Sequence, residues 1–260
     1  MSLLLWVVLF SLLGGILSVT LASLLLVLPA GARRRLLPGL VSFAIGALLA
    51  AAFTGLLPRA FELAPTAVHS LGLTLLAGIL LFFVLEKMVL WRHSHAGHDF
   101  QDAAVHAPHA HREATAGPLI LVGDTIHNLV DGVLIGAAFL TDFHLGVLTS
   151  IAVAAHELPQ ELGDFAILLH AGMRPQLALA LNLLTSLATV AGAVLAYLSL
   201  AQHWLPFVLA LAAASFIYVA VADLIPGLHR HSTLSASLRQ VALIALGVGA
   251  VLAGHLLRRQ

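Results

Sequence analysis

Long apolar runs, separated by short polar breaks, extend along almost the whole chain. A membrane-spanning helix needs about 20 predominantly apolar residues, and eight segments of this chain meet that requirement. The breaks between them contain proline and glycine, as at Pro29 and Gly31 or at Pro226 and Gly227. The pattern predicts an all-α polytopic membrane protein whose eight transmembrane helices form a bundle, at residues 3–28, 38–60, 67–91, 118–141, 145–171, 176–200, 203–227 and 236–257.

The composition agrees with a membrane protein and excludes several other classes. Hydrophobic residues make up 60% of the 260 and charged residues 9%, and the mean hydropathy is +1.03. A soluble domain has roughly a quarter charged residues, so this chain has too little charge to cover a water-facing surface. The net charge of zero gives no indication of a nucleic-acid partner, and the absence of cysteine excludes thiolate metal sites. The partner predicted by composition is the lipid bilayer.

The N-terminal segment, residues 1–28, is apolar enough to be compared with a secretory signal peptide. It has no basic n-region, its apolar run is longer than the usual 7–15 or so residues, and no small-residue cleavage site follows cleanly. We therefore expect it to be the first transmembrane helix. Residues 1–260 are then expected to form a single eight-helix transmembrane domain.

The basic residues predict the orientation of the bundle, because lysine and arginine favour cytoplasmic connections. With the N-terminus outside, nine of the twelve lie on the inner face and three on the outer face. Both termini are then expected outside. The inner set is Arg33, Arg34, Arg35, Lys87, Arg92, Arg112, Arg174, Arg230 and Arg239, and the outer set is Arg59, Arg258 and Arg259.

One predicted connection, residues 93–117, is long and rich in histidine. Its small and polar residues predict a flexible cytoplasmic loop without secondary structure. Flexible imidazoles bind metal ions weakly and transiently, so the loop could capture metal ions or sense them. A solvated linker without a functional role is the alternative. The histidines concerned are His93, His95, His98, His106, His109 and His111.

The fourth and fifth predicted helices contain ionisable residues within apolar segments. Asp124, His127, Asn128 and Asp131 are spaced i, i+3, i+4 and i+7, so they lie on one face of the fourth helix. Ionisable groups inside a membrane are costly and usually face the bundle interior, where they mark an ion or substrate path. This face is therefore a candidate functional site.

The fifth helix presents a matching face. His156, Gln160 and Asp164 are spaced i, i+4 and i+8, and Glu157 and Glu161 lie one position further round. If the two faces meet, two imidazoles and several carboxylates come within coordination reach, and these are ligands of zinc and similar divalent ions. Each glutamate has two oxygens and could bridge two metal ions.

A structural polar network between the two helices is the simpler explanation of these residues. It would need cationic partners, and no lysine or arginine occurs between residues 113 and 173. Buried carboxylates without such partners must take up protons or bind cations. Pro159 also removes a helical hydrogen bond to the carbonyl of Ala155 and predicts a kink, either for packing or for function. The sequence thus favours a site for metal ions or protons.

These residues carry a family resemblance. The segments HNLVDG (127–132) and HELPQELGD (156–164) resemble the paired signatures of the ZIP family of divalent metal transporters, in the subgroup with HNxxDG and HExPxExGD motifs. Residues 80–87 and 216–226 resemble the third and seventh helices of that family. The resemblance implies eight helices, a binuclear metal site between helices four and five, and no organic cofactor.

The resemblance also implies a ligand set. By motif position, it is His127, Asn128 and Asp131 from helix four, with His156, Glu157 and Glu161 from helix five. Gln160 stands where another version of the motif has histidine, and an amide oxygen would shift the preference modestly from zinc toward iron or manganese. Asn182 of helix six is a further candidate ligand, with interhelical hydrogen bonding as the alternative. Asp124, Asp164 and Asp223 are expected around the site or along the pathway.

The implied function is secondary transport of Zn²⁺, or of Fe²⁺, Mn²⁺ or Cd²⁺, toward the cytoplasm across the cell membrane. An intramembrane zinc-dependent hydrolase is the alternative from another class. Its HExxH motif would need a second histidine where this chain has Gln160, and Pro159 interrupts the helix. A metal sensor would need a sizeable soluble output domain, which residues 1–260 do not contain. Both a monomer and a homodimer are compatible with the sequence.

Overall fold

The computed structural model describes residues 2–98, 116–170, 172–229 and 233–257, and all long elements within these ranges are helices. We number the eight long helices in chain order. Three of them contain a π-helical segment, which is given as the middle range of α1, α2 and α7. The helices are α1 (Leu3–Leu12, Leu13–Leu17, Ser18–Val27), α2 (Ala30–Ala50, Ala51–Leu56, Leu57–Leu63), α3 (Val68–His98), α4 (Ala116–Thr141), α5 (Phe143–His170), α6 (Pro175–Ser199), α7 (Leu205–Tyr218, Val219–Leu224, Ile225–Leu228) and α8 (Leu234–Leu257).

The prediction of an all-α bundle with eight long helices is confirmed. Within the described residues, seven of the helices are long and apolar enough to cross a membrane. The exception is α5, which has 28 residues but contains three carboxylates, Glu157, Glu161 and Asp164. A helix of this length rises about 40 Å at 1.5 Å per residue, so its polarity and not its length sets it apart.

The predicted start of the second helix is wrong. The structure begins α2 at Ala30, directly after Pro29, and continues the helix through Pro38. The sequence prediction began the span at residue 38 and took Pro29 to Gly31 as the break before it, so residues 30–37 fell outside the helix. Residues 30–37 are mostly arginine and leucine, which are good helix formers. The helix therefore begins before Pro38 and continues through it.

The boundaries of the predicted histidine-rich loop also differ. Helix α3 continues to His98, and α4 begins at Ala116. The prediction that residues 93–117 lack secondary structure is therefore wrong at both ends of the segment. No proline occurs between Val68 and His98, so nothing in the backbone ends the helix where the loop was expected. The remainder of the predicted loop, residues 99–115, lies outside the described residues.

The helices pack in two groups. In one group α4 lies along α6, and α1 packs against α5 and α6. In the other, α2 lies along α8, and α7 packs against α3 and α2. The groups meet where α2 contacts α5 and where α7 contacts α4, and the candidate site lies in the first group beside this boundary.

Two glycines allow the backbones of α4 and α6 to touch. A Cβ atom added at Gly132 would lie 1.9 Å from the carbonyl oxygen of Thr189, and one added at Gly192 would lie 2.1 Å from that of Leu129. Both distances are far below any contact that a real Cβ makes. Small residues permit such close packing in membranes, and this contact holds the two helices in a fixed relative position.

We predict that Gly192→Ala destabilises the protein, because the new methyl group meets backbone atoms that cannot rotate away. Overpacking of this kind typically costs about 1–3 kcal/mol. Gly249→Ala on α8 is the matched control, since a Cβ there has nothing within 4 Å. The measurement is the thermal unfolding midpoint of both purified variants in detergent micelles. Equal midpoints for the two variants would contradict the close contact between α4 and α6.

Candidate metal centre

The polar residues of α4 share one face of the helix, as their spacing predicted. Asp124, Asn128 and Asp131 are buried, whereas the side chain of His127 remains 22% exposed. The face is turned toward α5 and α6, the two helices that α4 contacts most closely. Burial of two carboxylates and an amide here is costly unless each finds a partner.

The polar residues of α5 form two adjacent stripes along the helix. His156, Glu157 and Glu161 are buried to 2% exposure or less. Gln160 and Asp164 are only partly buried and lie on the stripe that also contains His156. His156 therefore stands at the border between the two stripes.

Four side chains from the two helices converge on one point. We call His127, Asp131, His156 and Glu157 the histidine group, and one ligand atom of each lies within 4.8 Å of the others. His127 Nε2 is 3.4 Å from His156 Nε2 and 3.3 Å from Glu157 Oε1, and His156 Nε2 is 3.1 Å from Asp131 Oδ2. Ligand atoms at about 2.1 Å around a tetrahedral zinc ion lie about 3.4 Å apart. The spacing therefore fits a tetrahedral divalent ion.

The other ring nitrogen of His156 explains how this imidazole is oriented. Its Nδ1 atom lies 3.2 Å from the carbonyl oxygen of Ala152, one turn earlier on α5. An Nδ1–H group that donates to this carbonyl leaves the Nε2 lone pair directed at the histidine group. A hydrogen bond to the outer nitrogen is the usual way in which a protein fixes a metal-binding histidine.

A second set of ligands adjoins the first and shares one residue with it. We call Asp124, Glu157 and Glu161 the carboxylate group; one oxygen of each lies within 4.8 Å of the others. Both oxygens of Glu161 and Oδ2 of Asp124 are buried and have no hydrogen-bond partner among the described residues. Three adjacent buried carboxylates repel one another, and a divalent cation would offset that repulsion. The donor atoms are all oxygen, so this group suits harder ions than the histidine group does.

The membership of the two ligand groups can be compared with the roles predicted for these residues from the sequence. Glu157 belongs to both, which fits the expectation that a glutamate could bridge two ions. Asp124 was expected around the site, but the structure places it in the carboxylate group itself. Asn182 of α6 is 1% exposed, and neither atom of its amide has a hydrogen-bond partner among the described residues.

Asn128 is held at both ends of its amide. Its Nδ2 donates to Asp124 Oδ1 at 2.8 Å and to the Asp124 carbonyl at 3.1 Å. The hydroxyl of Thr189, on α6, donates to Asn128 Oδ1 at 2.7 Å. Thr189 was not predicted from the sequence. It lies seven residues after Asn182, a helical spacing that puts both residues on one face of α6 and could have identified it.

A cavity of about 530 Å³ extends from His156 toward one end of the bundle. Its walls come from the beginning of α2, the second half of α5 and the end of α7, and they include Gln160, Asp164 and Asp223. These three predicted residues therefore lie together, and the two aspartates belong to neither ligand group. In the opposite direction from His156 along the bundle, apolar side chains close the interior; the Phe216 ring centroid is 6.1 Å from that of His156.

The histidine-rich segment contributes nothing to these two groups in the described part of the chain. The backbones of His93, His95 and His98 belong to α3. The remaining predicted loop histidines, His106, His109 and His111, lie outside the described residues. Metal capture by this segment stays a prediction.

Several known zinc transporters have sequences similar to that of this chain. The sequence profile described as ZIP Zinc transporter matches residues 92–253. The chain is 45% identical to zinc transporter ZIP4 of Mus musculus over 111 residues, which cover 42% of this chain and 17% of that protein. It is 33% identical to zinc transporter ZIP13 of Pongo abelii over 224 residues (80% of this chain, 64% of that protein). For zinc transporter ZIP13 of Mus musculus the identity is 32% over 242 residues, with shares of 80% and 67%. The chain thus spans about a sixth of the length of ZIP4 and about two thirds of that of ZIP13.

We predict that the two ligand groups bind one zinc ion each and that Glu157 serves both. Asp131→Asn removes a ligand of the histidine group alone, and Glu161→Gln removes one of the carboxylate group alone. Each should reduce the bound zinc from two ions per chain to one, whereas Glu157→Gln should weaken both sites. Zinc bound to the purified protein after equilibrium dialysis, measured by atomic absorption, tests this expectation.

The matched control for this measurement is Glu62→Gln. Glu62 is an exposed carboxylate at the end of α2 that pairs with Arg59 at 3.0 Å, so its loss should leave two ions bound. Retention of two tightly bound ions by Glu157→Gln would show that the groups do not share this ligand.

Proposed function

Because this chain belongs to the ZIP family of zinc transporters, we propose that it is a secondary transporter that moves Zn²⁺ across a membrane toward the cytoplasm. The observation that carries the proposal is the pair of buried ligand groups joined by Glu157. They lie within a multi-pass bundle and adjoin a cavity that leads to one end of it. Such a site can exchange an ion with water on one side of a membrane while it is sealed from the other.

The histidine group would take the place of the ion's hydration shell. Two neutral imidazoles and two carboxylates supply four donors with no net positive charge. The attraction between these carboxylates and the ion offsets the cost of dehydration, because both are buried in the low-dielectric interior. His127, the more exposed of the two histidines, would make the first or last contact with the moving ion.

The carboxylate group would hold a second ion beside the first, so the site is proposed to be binuclear. Asp124, Glu157 and Glu161 supply its oxygens, and the amide oxygens of Asn128 and Asn182 are further candidate ligands. These oxygen donors support transport of Fe²⁺ or Mn²⁺ beside Zn²⁺, and the imidazoles of the histidine group would be the donors for Cd²⁺. We assign the chain to the subgroup with HNxxDG and HExPxExGD motifs, and HNLVDG and HELPQELGD carry that assignment.

The cavity is the proposed exit path. The distribution of basic residues supports a cytoplasmic location for the beginning of α2 and the ends of α5 and α7, and the cavity lies between these segments. An ion that leaves the histidine group would pass Gln160 and the carboxylates of Asp164 and Asp223. Apolar packing on the opposite side of the site supports the interpretation of this structure as an inward-facing state.

Alternating access would follow from relative movement of the two helix groups. The members of both ligand groups lie on α4 and α5, and the further candidate Asn182 lies on α6. All three helices belong to the helix group that also contains α1. Because α4 and α6 are in close contact, the helices that contain the site would move as one rigid body past α2 and α7. Movement of this body away from the cytoplasmic side would close the cavity and open a path on the other side.

The remaining assignments follow from this orientation. We place the protein in the cell membrane with both termini outside and with residues 1–260 as one transport domain. The histidine-rich segment 93–117 would lie at the cytoplasmic mouth, where it could capture ions that leave the cavity. Helices α3 and α8 bury the smallest share of their apolar spans within the bundle. Their outer faces are available to lipid or to a second copy of the chain.

The hydrolase hypothesis is not retained. The family to which the chain belongs consists of transporters and not of enzymes. In a HExxH enzyme the glutamate between the histidines acts as a base, whereas Glu157 approaches both imidazoles with the same oxygen, at 3.3 and 3.7 Å. That geometry suits a metal ligand.

We predict saturable Zn²⁺ influx into proteoliposomes that contain the purified protein and a trapped zinc-sensitive dye. Glu157→Ala should abolish this influx, because it removes a ligand from both groups, and Glu62→Ala should leave it unchanged. A wild-type protein that binds zinc tightly but never moves it would contradict the proposed function.

Gln160→His should raise the ratio of zinc to manganese influx in the same assay. The new imidazole would line the exit cavity beside His156, and imidazole prefers zinc to manganese. Residues next to a metal's ligands change affinity by about tenfold at the lower end of their usual range, and we expect a change no larger than that. Gln202→His, at an exposed position between α6 and α7 that does not line the cavity, is the control. An unchanged ratio would show that position 160 does not influence selectivity.

A further inference from the structure

A hydrogen-bonded chain connects α6 to the carboxylate group. It runs from the hydroxyl of Thr189 to Oδ1 of Asn128, and from Nδ2 of Asn128 to Oδ1 of Asp124, at 2.7 and 2.8 Å. Thr189 and Asn128 are at most 1% exposed, and Asp124 is 4% exposed. Water cannot easily replace any of these bonds, so each atom depends on the partner that the protein supplies.

The chemistry of Asp124 determines the orientation of the Asn128 amide. The amide end that faces Asp124 meets two acceptors, the carboxylate oxygen and the main-chain carbonyl. Only the NH₂ group can donate to both, so the amide oxygen must point the other way. There it meets the hydroxyl of Thr189, which is the donor that this orientation requires.

The same series of hydrogen bonds leaves one oxygen of Asp124 available for an ion. Oδ1 accepts from Asn128, whereas Oδ2 is buried without a hydrogen-bond partner among the described residues. The amide thus fixes the rotation of the carboxylate. Asn128 Oδ1 also keeps a second lone pair, so the amide can ligate an ion itself without releasing Thr189.

The close contact between α4 and α6 explains why a short side chain can reach so far. Gly132 lies against the carbonyl oxygen of Thr189, at a distance that excludes any larger residue. This contact brings the Thr189 hydroxyl within hydrogen-bond range of Asn128, one turn before Gly132 on the same face of α4. The hydrogen bond is therefore built on backbone packing and not on a flexible side chain.

We propose that Thr189 is a positioning residue for the carboxylate group: its hydroxyl fixes the Asn128 amide, which in turn fixes Asp124. This inference rests on the proposed metal-binding function and deepens it, since it names a residue on a third helix that sets the affinity of that site. The Thr189 hydroxyl donates to Asn128, and among the described residues it forms no hydrogen bond with a member of either ligand group.

The test is the zinc affinity of the carboxylate group in purified protein. Asp131→Ala, which removes a ligand of the histidine group, serves as background, so that the carboxylate group is the only complete one. In that background we expect Thr189→Val, which keeps the shape but removes the hydroxyl, to weaken zinc binding about tenfold, the effect of losing one buried hydrogen bond. Thr189→Ser should restore the affinity. Thr141→Val is the matched control on α4, because that hydroxyl bonds only to the carbonyl of Ala137 on its own helix.

A double-mutant cycle distinguishes positioning from a general packing defect. If Thr189 acts through Asn128, Thr189→Val should cause no further loss of affinity once Asn128→Ala is present. A packing defect would instead add its effect in both backgrounds and would lower the thermal midpoint of Thr189→Ser as well.

Wild-type zinc affinity in Thr189→Val, or equal losses with and without Asn128, would overturn the inference and leave the proposed transport unaffected. Transport is decided separately, by zinc influx through the wild-type protein in proteoliposomes. A wild-type protein that binds zinc but moves none would refute the transport proposal, while the comparison of affinities would still decide the role of Thr189.

Discussion

The central constraint on this molecule is the electrostatic cost of placing four carboxylates in an apolar bundle where, among the described residues, no lysine or arginine pairs with them. Asp124, Asp131, Glu157 and Glu161 are all almost fully buried, and residues 113–173 contain no lysine or arginine. Each of these anions would be strongly unfavourable alone. A divalent cation would relieve the cost of several at once, so the metal affinity that we propose for the site would derive from the electrostatic repulsion within the empty cluster.

The packing of the helices makes this arrangement possible. The carboxylates can approach one another only because α4 and α5 present matching faces, and α4 is held by its glycine contacts with α6. The hydrogen bonds that link Thr189, Asn128 and Asp124 depend on the same contact between α4 and α6. A transporter needs the helices that carry the ligands to form a rigid unit. It also needs looser contacts between that unit and α2 and α7. The ligand geometry must survive a movement that opens the site to the other side.

In the proposed transport mechanism, the two stripes of α5 would have different roles, one in ion binding and the other along the exit path. Glu157 and Glu161 face the ligand groups, whereas Gln160 and Asp164 face the cavity, and His156 borders both. An ion could therefore pass from the site to the exit path with one ligand still in place. A stepwise exchange of this kind avoids the high cost of releasing a bare divalent ion into an apolar interior.

The sequence by itself determined the features that depend on local geometry. Apolar run length predicted eight helices, and the 3.6-residue period predicted the ligand faces of α4 and α5. It did not predict that α2 extends through Pro38, that Asp124 joins the carboxylate group, or that Gln160 faces the cavity although it lies between two ligands in the chain. Thr189, 61 residues from Asn128, was also missed. Helical periodicity is a property of the backbone and can be read locally. The rotation of each helix about its axis, and the partner that each buried polar atom finds, depend on how all the helices pack together, and only the tertiary structure decides that.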